Sequence, residues 1–185
     1  VNSAALYGID ALPVTVELDL GTGFPAFNIV GLPDTAVQES KERVRAAIRN
    51  AGLPFPTNHR ILINLAPADV KKSGPLYDLP IAVALLKAYV PLEADLSDAL
   101  FVGELSLDGA VRPVHGVLPI AVFAERAGIR TLFVAKNNAA EAAYVAGISV
   151  VPVATLTDLV KHLTNEALIP PAPRTVTTPE TITHE

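Results

Sequence analysis

At 185 residues the chain suits one domain and a short tail, and with half of its residues hydrophobic it is not a generally disordered protein. It has no cysteine, which excludes disulfides, thiolate zinc sites and a cysteine nucleophile. The net charge of −5 argues against a dedicated nucleic-acid binder, yet residues 41–72 hold Lys41, Arg43, Arg45, Arg49, Arg60, Lys71 and Lys72 against only Glu42 and Asp69. His59, His115, His162 and His184 stand far apart without ligand spacing, so no metal site is expected. No apolar run approaches the roughly 18 residues of a membrane span, and no signal peptide is visible. The chain starts at Val1 and contains no methionine, and the expectation is an excised piece of a longer protein.

In chain order, Val14–Leu20 alternates apolar and polar residues, the period of a half-buried strand, with residues 3–9 as its hairpin partner across Ala11–Pro13. Ala26–Val30 reads as a third strand, broken by Gly31-Leu32-Pro33. Asp34 or Thr35 then caps a helix, and Thr35 with Gln38 fits a capping box. Val37, Val44 and Ile48 form the apolar stripe of that helix, and Gly52 closes it. Lys41, Arg45 and Arg49 recur every four residues and so share one face: a plain solvated face, or a contact for phosphate or for an acidic neighbouring subunit.

Residues 60–65 form a strand that feeds the stretch Leu65–Tyr89. Its first half holds Pro67, Gly74, Pro75 and the adjacent Lys71-Lys72; its second half is apolar except for Lys87. Asp78 can cap a helix whose Pro80 falls harmlessly in the first turn, and apolar residues on all sides predict that this helix is buried. Leu100–Leu107 and Val111–Val114 flank Asp108-Gly109, a two-residue hairpin signal. A helix over Gly116–Ala127, a strand at Thr131–Ala135, a short helix from Asn137 or Asn138 to Ala146, a strand at Ser149–Val153 and a helix at Thr155–Leu163 follow. From Asn165 the sequence is rich in Pro and Thr and reads as a linker or disordered tail. Alternating strands and helices predict an α/β or α+β domain with a mixed sheet and packed helices over 1–164, and a tail over 165–185.

The search for chemistry is mostly negative. There is no phosphate-loop spacing around Lys72-Ser73-Gly74 and no nucleophile elbow. Ser73 before Gly-Pro is a turn residue rather than half of a Ser–Lys pair, and Glu104 and Asp108 are expected to be solvated acids at a strand end.

Three stretches carry a resemblance: GLPDTAVQESKERVRAAIRNAGLPFP (31–56), ILINLAPADVKKSGPLYDLPIA (61–82) and GELSLDGAVRPVHGVLPIAVFAERAGI (103–129). In this order they resemble the N-terminal domain of the magnesium-chelatase-like AAA+ proteins of the ComM/YifB family, and the likeness runs through residues 1–164. It implies a bacterial cytoplasmic protein in which an AAA+ module, holding ATP and Mg, follows the Pro/Thr linker. The full chain would then be a hexameric ATP-driven helicase of DNA branch migration in natural transformation and recombination, with itself and DNA as partners and no membrane.

The same domain resembles the proteolytic domain of Lon, and so the fold of the second domain of a small-subunit ribosomal protein. Lon carries a serine after a Gly-Pro pair and a lysine after a hairpin that here matches Gly103–Gly109. The serine position is Leu76 and the lysine position is Leu118, and leucine can neither attack a carbonyl nor take a proton. The resemblance therefore implies a Lon-like frame without catalytic residues and without a cofactor of its own, serving ring assembly or DNA positioning. Lys41, Arg45, Arg49, Lys71 and Lys72 are its candidate contacts to nucleic acid or a neighbouring subunit. The alternatives are an active Lon-type serine peptidase and a magnesium chelatase subunit. The two leucines, each near a helix start, are expected to pack together.

Overall fold

A computed structural model describes residues 1–177. It is a mixed α/β fold, as the order of elements predicts. The sheet runs β3-β4-β2-β1-β5-β8-β9. Its antiparallel half consists of β1 (Asn2–Tyr7), β2 (Asp10–Gly21) and β4 (Arg60–Ala66), with β3 (Ala26–Val30) parallel to β4 at one edge. Its parallel half adds β5 (Ala99–Phe101), β8 (Thr131–Ala135) and β9 (Ser149–Val153) beside β1. A separate ribbon pairs β6 (Glu104–Leu105) with β7 (Val111–Arg112).

The long strand β2 joins β1 to β4 within the antiparallel half. Its first residues pair with β1, from Tyr7 opposite Asp10 to Asn2 opposite Thr15; its last pair with β4, from Thr15 opposite Ala66 to Gly21 opposite Arg60. The β1–β2 turn therefore sits at Gly8-Ile9, earlier than the expected Ala11–Pro13. Pro13 lies inside the strand, on the part that has β1 as its ladder partner, where a missing N–H is tolerated. Val14 and Val16 of β2 are buried while Thr15 and Glu17 are exposed, so this half of the sheet keeps one wet face. In β5 and β8 nearly every residue is buried, as parallel strands require.

Among the described residues five α-helices pack against the sheet. They are α1 (Thr35–Asn50), α2 (Asp78–Lys87), α3 (Val117–Arg126), α4 (Ala139–Ala142) and α5 (Leu156–Leu163). Asp34 caps α1: its Oδ1 accepts from Val37 N at 2.8 Å. The expected Thr35–Gln38 box gives way to this, and the Gln38 amide donates instead to Ile29 O of β3 at 3.2 Å. At the other end Leu53 N donates to Ile48 O and Gly52 N to Arg49 O, a closure that needs the left-handed φ of +70° at Gly52. α2 runs through the core with Asp78 to Leu86 all buried. The single strand expected over Leu100–Leu107 is split: β5 joins the main sheet, and the chain then turns at Gly103 into the β6–β7 ribbon. Gly103 N donates to Leu76 O and Gly103 O accepts from Leu79 N, so the turn is pinned to the start of α2.

The stretch expected to be a loose tail from residue 165 is held on the domain as far as Thr175. Ile169 N donates to His162 Nδ1 at 2.9 Å, Ala172 N to Val150 O at 2.8 Å, and Thr175 N to Ala143 O at 3.0 Å. Ile169 and Ala172 pack against the core. The segment thereby shields the outer strand β9, which an edge strand requires. The rest of the expected tail, 178–185 with His184, lies outside the described residues. Among the described residues no helix is long and apolar enough to cross a membrane.

Candidate nucleic-acid interface

The loop between β4 and α2 is a polar crossing under tight restraint. Lys72 N donates to Leu32 O, and Asp34 N donates to Lys72 O, which zips this loop to the one before α1. Gly74 N donates to Asp34 Oδ2 at 3.2 Å. Gly31 allows the crossing. It holds a φ of +106°, and a Cβ there would stand 2.2 Å from Leu65 O. Leu32 follows with a φ of +56°, unusual for a branched residue, and leaves its side chain half in solvent.

Lys72 is wholly buried, and its ammonium donates to Gly31 O at 2.7 Å and to Pro67 O. Burial pushes its pKa down, opposed by Asp69. This corrects the expectation that Lys72 serves as a surface contact: its charge is used to close two loop carbonyls. Lys71, its neighbour, is exposed. Adjacent residues of an extended chain point to opposite sides, so the Lys-Lys pair divides between core and solvent.

Arg43 is also withdrawn from the basic face. It grips Asp78 in a two-point contact, Nε to Oδ2 at 2.6 Å and Nη2 to Oδ1 at 3.1 Å, and donates further to Ala36 O. Asp78 was expected to cap α2. Instead it is fully buried, and besides Arg43 it accepts from Leu105 N at 3.0 Å. Burial pushes the Asp78 carboxyl up, while Arg43, Ser40 and Leu105 pull it down and the carboxyl raises the Arg43 guanidinium in turn. One ion pair thus ties α1, α2 and β6 together.

Of the candidate contacts, Lys41, Arg45 and Arg49 remain on the face of α1, and Lys71 is exposed in the loop between β4 and α2. Lys41, Arg49 and Lys71 form no ion pair among the described residues, and Arg45 has only the exposed Glu42 at 3.3 Å. The Arg45 guanidinium lies 5.8 Å from the Phe27 ring centre and 6.0 Å from that of Phe55; the Arg49 guanidinium lies 5.8 Å from Phe55. The two rings are 6.2 Å apart. Arg45, Arg49, Phe55, Thr57 and His59 line a cleft of about 250 Å³. The His59 Nδ1 is buried without a hydrogen-bond partner. Sequence reasoning found the arginines through their four-residue spacing and missed Phe55, Thr57 and His59. An aromatic between two prolines, Pro54-Phe55-Pro56, just after a basic helix was the available signal.

Leu76 is 5% exposed, in a single 3₁₀ turn at Pro75–Tyr77, and Leu118 is 38% exposed in the first turn of α3. Leu118 lines an open cleft of about 650 Å³ with Ile9, Leu12, Val122 and Phe123. The expected sealed pair therefore has one partner half in solvent. The Tyr77 hydroxyl is buried without a partner, and burial, reinforced by Asp34, raises its pKa.

This architecture defines a Lon-protease-like α/β domain. The chain belongs to the family described as subunit ChlI of Mg-chelatase, matched over residues 16–138, and within it to the ComM/YifB group. It is 43% identical over 171 residues to the competence protein ComM of Haemophilus influenzae, covering 92% of this chain and 33% of that protein. To YifB of Salmonella typhimurium it is 50% identical over 142 residues, 76% of this chain and 28% of the relative. A Lon protease of Chloroflexus aurantiacus is 32% identical over 182 residues, 92% of this chain and 21% of that enzyme. The chain thus spans a third or less of the length of these curated relatives.

Proposed function

We propose that the chain is a non-catalytic Lon-like domain that positions nucleic acid for an AAA+ ATPase module of the same protein. The observation that carries this is the pairing of Leu76 and Leu118 with a basic helix face on which Arg49 has no ion-pair partner among the described residues and Arg45 has only the exposed Glu42. Leucine offers no nucleophile and no base, so the frame is left to binding. The similarity to a competence protein supports a role on DNA. In this reading the full protein is bacterial and cytoplasmic. It is a ring-forming, ATP- and Mg-dependent helicase of branch migration, and this domain stands at its N-terminal side and needs no cofactor.

Two assays test it together. Casein and fluorogenic peptides incubated with the chain should show no cleavage above buffer. A labelled single strand should bind at low salt and release as salt rises, because each phosphate contact displaces condensed counterions. Peptide cleavage that persists after repurification would overturn the non-catalytic reading in favour of a peptidase.

A second reading, assembly of subunits, rests on the β1–β2 tip. Tyr7 and Ile9 are 72% and 90% exposed beside the Leu118 cleft. If this tip is a subunit contact, Ile9→Asp shifts the oligomeric state in light scattering while leaving nucleic-acid affinity unchanged.

A further inference from the structure

We infer that the cleft between the end of α1 and the start of β4 is a phosphate-binding site built by Arg45, Arg49, Thr57 and His59 on a platform of Phe27 and Phe55. This rests on the reading of the basic face as a nucleic-acid contact and deepens it: the helix supplies the charge, and the cleft supplies the place where one phosphate is held.

Three observations converge. The guanidiniums of Arg45 and Arg49 both stand about 6 Å from the centre of the same ring, Phe55. Packing on a ring face restrains a guanidinium while leaving its N–H groups free, so the donors are ordered before the ligand arrives. Among the described residues Arg49 has neither a carboxylate nor a carbonyl partner, and the only acidic partner of Arg45 is the exposed Glu42, which does not line the cleft. The Arg49 donors therefore have no acceptor among the described residues, and Arg45 shares only its Nη1 with Glu42.

The third observation is His59. It lines the cleft, and its Nδ1 is buried without a partner. A ring N–H of histidine donates, so the imidazole can add a donor to a site that otherwise contains arginine and the Thr57 hydroxyl. Donors without an acceptor select an anion, and the planar N–H forks of two arginines match the tetrahedral oxygens of phosphate. A volume of about 250 Å³ admits one phosphate and part of its sugar rather than a duplex groove. The phosphate could belong to a strand of nucleic acid or to a small free phosphate, and the chemistry of the site is the same for both.

The test uses the chain with two probes: a labelled single-stranded oligonucleotide read by anisotropy and pyrophosphate read by calorimetry. Arg49→Ala should weaken the oligonucleotide about tenfold or more and lower the salt slope by roughly one contact. His59→Gln should weaken it less. Phe55→Leu keeps all the charge and most of the buried surface. It should weaken binding while leaving the salt slope and the melting temperature unchanged, which a purely structural role would not do. Lys71→Glu is the control outside the cleft. Wild-type affinity in Arg49→Ala and Phe55→Leu, with loss in Lys71→Glu, would overturn the cleft and leave the broader nucleic-acid reading intact. If the oligonucleotide fails to bind the wild type, the broader reading fails; pyrophosphate binding that Arg49→Ala abolishes would then keep the cleft as a site for small phosphates. Absence of both would overturn it.

Discussion

Two positive charges of this chain face inward, and they behave differently under substitution. Arg43 and Asp78 satisfy each other, and Leu105 N and Ala36 O complete the network. Asp78→Ala leaves Arg43 with only the exposed Glu39 as a carboxylate partner and leaves the buried Leu105 N–H unpaired, and should cost about 3–5 kcal/mol in urea unfolding. The double change Arg43→Met with Asp78→Leu should recover much of that loss, since a buried pair is often replaceable by packed apolar side chains. Equal loss in the single and the double variant would show that the pair is not the source of the cost. Lys72 has no carboxylate partner; its ammonium closes two carbonyls. Lys72→Glu should prevent folding, whereas Lys71→Glu, at an exposed position, should keep the wild-type melting temperature and weaken nucleic-acid binding. The two leucines part in the same way. Leu76→Ser removes a buried side chain and should cost about 3–5 kcal/mol. Leu118→Lys can lay its stem along the cleft with the ammonium in water and should be nearly neutral.

At the scale of elements, local sequence decides where a helix begins and the surrounding fold decides what it touches. Leu-Pro-Ile-Ala-Val occurs at 79–83 in α2 and at 118–122 in α3. Both copies start a helix with proline in the first turn, yet the first is entirely buried and the second exposes Leu118. The strand and helix order was legible for this reason, as were the Gly52 closure of α1 and the burial of α2. What was not legible depends on partners distant in sequence: Asp78 meets Arg43 rather than the α2 N-terminus, and Lys72 meets Gly31. A run rich in Pro and Thr reads as a tail, and nothing local announces that Ile169 meets His162. That last contact yields a pH prediction. Burial pushes the His162 pKa below the ordinary 6.5, and its Nδ1 must be unprotonated to accept from Ile169 N. A histidine held neutral in the folded state contributes stability that is present above 6.5 and lost as pH falls through it toward the lower folded value. The melting temperature should therefore drop on acidification, with faster proteolysis around residues 167–172. His162→Asn, which keeps an acceptor that does not titrate in this range, should flatten that dependence; an unchanged pH profile in this variant would assign it to another group.

On the scale of the whole molecule, a Lon-like fold carries a surface whose charge is distributed against its own net sign; in the reading proposed above, Leu76 and Leu118 stand where the protease needs a nucleophile and a base. The net charge is −5, while α1 and the loop between β4 and α2 present Lys41, Arg45, Arg49 and Lys71 outward. The buried part of the basic stretch holds loops and helices together; the outward part is free for an anionic partner. The family resemblance was readable from three stretches of sequence, because long motifs in a fixed order survive as a pattern of turns and core positions. The cleft was not, because it assembles Phe27 of β3, Arg45 and Arg49 of α1, and the residues between α1 and β4, three places that only the fold brings together. The measurement that tests the account most directly is a salt titration of single-stranded oligonucleotide binding by the chain, beside a variant with Lys41, Arg45 and Arg49 changed to glutamate. The account predicts affinity at low salt that falls linearly in log–log form, and its loss in the variant at an unchanged melting temperature. Equal affinity in both proteins, or no binding by the wild type at low salt, would contradict it.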